Sequence, residues 1–116
     1  MDKKAEATPT AYQVRLSQNA EKNIDEITGY IAFIKHQPIN AIKVGDAFFK
    51  AIHAIEKNPF GFKECSFIPT KSKIYRQKLC MSWYIIFKVV DVQIIILGII
   101  HASRKASKIK ALRKVK

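Results

Sequence analysis

The residues best suited to chemistry lie between Lys73 and Lys105, in the stretch KIYRQKLCMSWYIIFKVVDVQIIILGIIHASRK. Cutting RNA through its 2′-hydroxyl needs a base, an acid and cations around the scissile phosphate. Arg76, Lys78, Tyr84, His101 and Arg104 are the side chains here that fit such a list. An imidazole titrates near neutrality and suits either proton-transfer role. Arginine suits bidentate contact with phosphate. The set lacks a second histidine or a well-placed carboxylate: Asp91 falls in a turn, and the other acids lie earlier in the chain. His101 also fits the end of a strand, and spacing alone favours that structural role. Arg76, His101 and Arg104 are therefore catalytic candidates only for a metal-independent ribonuclease. Lys73, Arg76, Lys78, Tyr84, Arg104, Lys105 and Lys108 are candidates for binding nucleic acid or an acidic partner.

Other polar residues have plainer explanations. His36 falls in the last turn of a predicted helix, where the dipole favours a cation. His53 lies between apolar neighbours and is expected at a helix interface. Cys65 and Cys80 have neither CxxC spacing nor clustered histidines, so two reduced thiols are expected, with no metal and no cofactor. There is no glycine-rich phosphate loop, Gly-x-Ser-x-Gly or HExxH motif. Trp83, Tyr84 and Phe87 could stack on bases, but aromatics on central strands are more often core. Tyr84 is the exception, because its hydroxyl wants a polar partner.

The charge points outward. The net value is +12, and it is concentrated. Residues 1–70 carry nine Lys/Arg against eight Asp/Glu, whereas residues 71–116 carry twelve against Asp91 alone. An even scatter would serve solubility better, so the asymmetry implies an anionic partner such as nucleic acid or an acidic protein segment. The longest apolar run, IIILGII, has seven residues. That is far short of the roughly 20 a membrane helix requires. The opening MDKKAEATPT has no apolar run of the signal-peptide kind, so residues 1–10 read as a loose arm and the protein as cytoplasmic.

The elements that must position these residues follow from periodicity. A length of 116 residues fits one domain. Ala11–Leu16 alternates as a short strand. Ser17 is a plausible N-cap, and Ile24, Ile27, Ile31 and Ile34 mark one face of a helix over about residues 18–36. Pro38 interrupts it. A second helix, striped by Val44, Phe48, Ile52 and Ile55, runs to about Lys57, where Asn58-Pro59-Phe60-Gly61 stops it. Residues 62–72 read as an irregular link. Strands follow at about 73–80, 83–90 and 92–100, joined by tight turns. Arg76, Lys78 and Cys80 share one face of the first of these. The other two are apolar on both faces, as central strands covered on two sides would be. The prediction is an α+β fold: an N-terminal strand and a two-helix antiparallel hairpin packed on an antiparallel sheet completed by three C-terminal strands. The basic tail, 105–116, has helical spacing at Ala106, Ile109 and Leu112, with a disordered arm as the competing view.

Together these parts resemble the RelE/ParE superfamily of bacterial toxins from type II toxin–antitoxin modules, over about residues 11–104. The resemblance rests on the opening YQVRLSQNAEKNIDEITGYI and the helix end AIHAIEKNPFGFKE. It continues through YRQKL, WYIIFKV and IIILGIIHASR. It implies a toxin held inactive by an antitoxin with an acidic, flexible segment. Within the superfamily, RelE-like members cut messenger RNA in the ribosome and ParE-like members poison DNA gyrase. Arg76 matches a basic position that in RelE-like toxins contacts the scissile phosphate. His101 and Arg104 match a His-x-x-Arg ending common among ParE-like sequences. Tyr84 stands where many members have arginine, and the tail lacks the tyrosine RelE-like toxins often supply. With the long hairpin carrying Tyr30-Ile31, these features lean to the ParE-like, gyrase-inhibiting branch. The alternatives are a ribosome-dependent endoribonuclease and a non-toxic nucleic-acid-binding module.

Overall fold

A computed structural model describes residues 11–116; the arm expected over residues 1–10 lies outside them. Strand β1 (Gln13–Leu16) turns Val14 and Leu16, with neighbouring Tyr12, toward the main core and leaves Gln13 and Arg15 exposed. Ser17 ends it in extended conformation, and its Oγ accepts from the Ala20 N–H at 3.0 Å. That cap starts helix α1 (Gln18–Gly29), with Glu21 in the first turn where the dipole favours an acid. Ala20 and Ile24 are buried on it.

The first helix does not continue regularly to residue 36. Tyr30–Ile34 forms a π turn, with the Lys35 N–H donating to the Tyr30 carbonyl at 3.0 Å. A π turn takes in an extra residue. The apolar stripe therefore rotates away, leaving Ile34 64% exposed rather than inside. His36 follows in the left-handed region (φ 56°) and reverses the chain. Gln37 is held out of helical conformation (φ −127°, ψ 66°) before Pro38, the first residue of helix α2 (Pro38–Lys57). His53 on α2 is exposed, its Nδ1 3.4 Å from a Glu56 carboxylate oxygen, not at the helix interface expected for it. A 3₁₀ turn (Pro59–Gly61) terminates the hairpin.

Strands β2 (Tyr75–Cys80), β3 (Trp83–Val90) and β4 (Gln93–His101) form an antiparallel meander. Two-residue turns join them, with Met81 and Asp91 each at φ 54°. The sheet order is β1-β4-β3-β2, and β1 lies parallel to β4, so one pairing departs from the wholly antiparallel arrangement expected. Central strands β3 and β4 are covered on both faces, as their apolar character required. The helical hairpin covers one face, burying Phe48, Ile52 and Ile55 against Ile85, Phe87, Ile94 and Ile96. On the other, Cys65 and Ile68 from the link join helix α3 (Ala106–Lys110) and a 3₁₀ turn (Ala111–Lys114). These bury Ile109 and Leu112 against Tyr75, Ile86, Ile95 and Leu97. Among the described residues no helix is long and apolar enough to cross a membrane.

A bulge between β3 and β4 leaves Leu97 unpaired: Ile86 opposes Gly98, while Phe87 opposes Ile96. Beyond Leu16 the β4 edge has no strand beside it, and side chains of the β1–α1 segment take that place. Ser17 Oγ and Asn19 Nδ2 each donate to the Leu97 carbonyl at 3.0 Å, and the Ile99 N–H donates to Asn23 Oδ1 at 2.8 Å.

Candidate functional site

The register of the sheet decides which candidates can act together. His101 lies opposite Trp83, and Trp83 opposite Cys80, at one end of the meander. Arg76 lies opposite Phe87 and Ile96, four residues further along β2 and two strands away from His101. That offset separates the two backbones by roughly 16 Å. Both side chains face the helical-hairpin side of the sheet, but they do not converge on one phosphate.

At the His101 end, the Ser103 N–H donates to His101 Nδ1 at 3.2 Å, and Ser103 Oγ lies 2.8 Å from the same nitrogen. With Nδ1 accepting, the neutral ring carries its proton on Nε2. The imidazole meets Trp83 edge-on at 5.7 Å, and Trp83 meets Phe48 in the same way at 5.5 Å. The Arg104 N–H donates to the His101 carbonyl at 2.9 Å, so the chain turns there and leaves the Arg104 side chain exposed. This corner offers an imidazole and a guanidinium to a partner.

Arg76 is engaged locally. Its Nε donates to the Lys73 carbonyl at 3.0 Å and its Nη1 to the Phe62 carbonyl at 2.9 Å, while the guanidinium lies 4.9 Å from the Phe60 ring centre. Lys78 sits 4.9 Å from the Phe62 ring in the same manner. Two cations stacked on two aromatics thus line β2, tying the link after α2 to the sheet. Lys73 holds a left-handed turn (φ 56°) just before the strand, with its side chain exposed. Tyr84 packs half-buried against the second core, between Leu79 and Ile100, on the face opposite Arg76. Lys105 and Lys108 are exposed at the start of α3.

The sequence candidates therefore divide among four places: Lys73, Arg76 and Lys78 at and just before β2, Tyr84 on the opposite face of the sheet, His101 with Arg104 at the end of β4, and Lys105 with Lys108 on the tail. The sequence reading missed the apolar end of the hairpin. Tyr30, Phe33, Ile34, Ile39 and Ile42 are all more than half exposed there, Phe33 at 77%. Large apolar side chains exposed together are a feature of interaction surfaces in general. Its signal was present in the residues YIAFI and PIN, but the apolar stripe explained part of them as core. A cleft lined by Leu16, Glu21, Ile24, Asp25 and Phe49 lies beside α1.

A family model described as the ParE toxin of the type II toxin–antitoxin system parDE matches residues 14–106. Among solved structures, a chain described as the chromosomal ParDE TA system from P. aeruginosa is similar in fold, with a TM-score of 0.62 and 17% sequence identity. The likeness covers 78% of this chain and 96% of that one. No curated protein matches.

Proposed function

Since the chain belongs to the ParE toxin family of type II toxin–antitoxin systems, we propose that it arrests growth by inhibiting DNA gyrase in the cytoplasm. A cognate antitoxin with an acidic, flexible segment neutralises it. The observation that carries this reading over a nuclease is the sheet register, which sets the backbones of Arg76 and His101 roughly 16 Å apart. A general acid–base cut needs its proton-transfer groups and cations within hydrogen-bond reach of one phosphate. Arg76 also spends two of its donors on backbone carbonyls. The molecule instead offers surfaces for protein partners. Apolar anchors of the antitoxin sit on Tyr30, Phe33, Ile34, Ile39 and Ile42, and its carboxylates reach the cations stacked at Phe60 and Phe62.

Purified chain added to a gyrase supercoiling reaction tests the reading. Supercoiling should fall with toxin concentration and return when the cognate antitoxin is added. Undiminished supercoiling at a large excess of folded toxin overturns it. The ribonuclease alternative makes the opposite demand: ribosome-dependent cleavage of messenger RNA, slowed by orders of magnitude in both Arg76→Ala and His101→Ala. Intact messenger after expression removes it.

A further inference from the structure

The two layers that sandwich the sheet differ in charge. Residues 18–57, the hairpin layer, carry five Lys/Arg and five Asp/Glu. Residues 58–116, which comprise strands β2–β4 as well as the second layer, carry thirteen against Glu64 and Asp91. Within that second half the densest stretch is the tail. Lys105, Lys108, Lys110, Arg113, Lys114 and Lys116 are all exposed, and no acid lies among them. The tail is not a loose arm, because Ile109 and Leu112 bury 4% and 5% exposed in the second core. Its cations are therefore held along a folded ridge about 18 Å long.

The chemistry of that ridge selects its partner. No large apolar side chain is exposed on it, so it lacks the anchors on which a protein helix or strand would dock. It contains no aromatic residue, so single-stranded bases have no stacking platform. What remains is a row of mobile cations on a fixed base, which matches the closely spaced phosphates of a duplex. We propose that residues 105–116 form a sequence-independent surface for the backbone of double-stranded DNA. The choice of DNA over double-stranded RNA rests on the gyrase reading above; the duplex itself does not. Bound this way, the toxin would meet gyrase on its DNA as well as through a protein contact.

The test is binding of the full chain, without gyrase, to a fluorescent 20-base-pair DNA of arbitrary sequence, followed by anisotropy across a salt series. With about five phosphates contacted, the slope of log affinity against log salt should be about −4.5. A second, unrelated sequence should bind within about threefold. The triple variant K108E/K110E/R113E should lose more than about tenfold in affinity at 50 mM salt and flatten the slope by nearly 3. The triple variant K22E/K43E/K50E makes the same change in net charge on the hairpin and should lose less than about threefold. Circular dichroism of both variants establishes that each retains the fold. If the tail variant is unfolded, the single variants K108E and K110E carry the comparison, each expected to lower the slope by about 0.9.

Any of four results overturns the proposal: no wild-type binding at 50 mM salt, equal losses in the two triple variants, tighter binding to duplex RNA, or displacement of DNA by polyglutamate at equal charge. A gyrase reaction run in parallel separates the two readings. Inhibition without DNA binding removes only the surface, and DNA binding without inhibition removes only the target.

Discussion

At the scale of single residues, Gly98 is closed in from two elements at once. A Cβ added there would lie 2.8 Å from Leu112 Cδ2, 2.9 Å from Asn19 Nδ2 and 3.1 Å from Asn23 Oδ1. The tail and the first helix thus meet at one glycine. Gly98→Ala should destabilise the fold by about 1–3 kcal/mol in urea unfolding, and wild-type stability would show that both neighbours can give way. The cysteines make a second prediction. Burial pushes the Cys65 thiol above its ordinary value of 9.0, against the N–H groups of Phe67 and Ile68, with Glu64 adding to the rise. Burial raises Cys80 as well. The folded state therefore keeps these protons longer than the unfolded chain. Stability from this source is complete below about pH 9 and declines as pH rises through the folded values. Cys65→Ala should flatten the alkaline decline, and an unchanged pH profile would count against it. Ser17 and Glu21 were legible in the sequence because their bonds and fields act within one turn. Asn19 and Asn23 were not, since their partners, Leu97 and Ile99, stand 78 and 76 positions away.

At the scale of elements, periodicity located the second helix and the three-strand meander to within about two residues, and pre-proline geometry located the break between the helices. The first helix was expected to run regularly to about residue 36, whereas its α-helical part stops at Gly29. The π turn escaped periodicity. Inserting one residue into a helix changes which face later residues occupy without changing composition, so Ile34 still scans as core. The result is an apolar hairpin end that contributes little to the fold. Phe33→Ser combined with Ile42→Ser should shift stability by less than about 1 kcal/mol, yet weaken antitoxin binding by more than about tenfold in calorimetry. Unchanged antitoxin affinity would move that contact elsewhere. Strand order was the other illegible feature. Alternation sorts Arg76 and Lys78 onto one face of β2, but it says nothing about which strand lies alongside. Only the order β1-β4-β3-β2, with its register, shows that His101 shares a row with Trp83 and Cys80 while Arg76 does not.

At the scale of the whole molecule, one four-stranded sheet carries a neutral helical layer on one side and a strongly basic layer on the other. The second layer is thin, and its hold depends on few side chains. Leu112→Ala should cost about 2–5 kcal/mol and expose the tail to proteolysis; a variant as stable and protected as wild type would mean the tail is not a structural cover. The parallel β1–β4 pairing has a consequence in time. Gln13 pairs with Gln93, so β1 has no strand partner until a segment about eighty positions away is in place. Closing so long a loop is slow, whereas the meander closes through two-residue turns. The first strand and the Ser17–Asn19–Asn23 clamp should then dock after the barrier to folding has been crossed. Asn23→Ala should speed unfolding and leave the folding rate nearly unchanged. A folding rate slowed in proportion to the lost stability would instead put the clamp in the nucleus. Loosening of the native molecule should begin at that seam, with β1 leaving β4 before the meander opens.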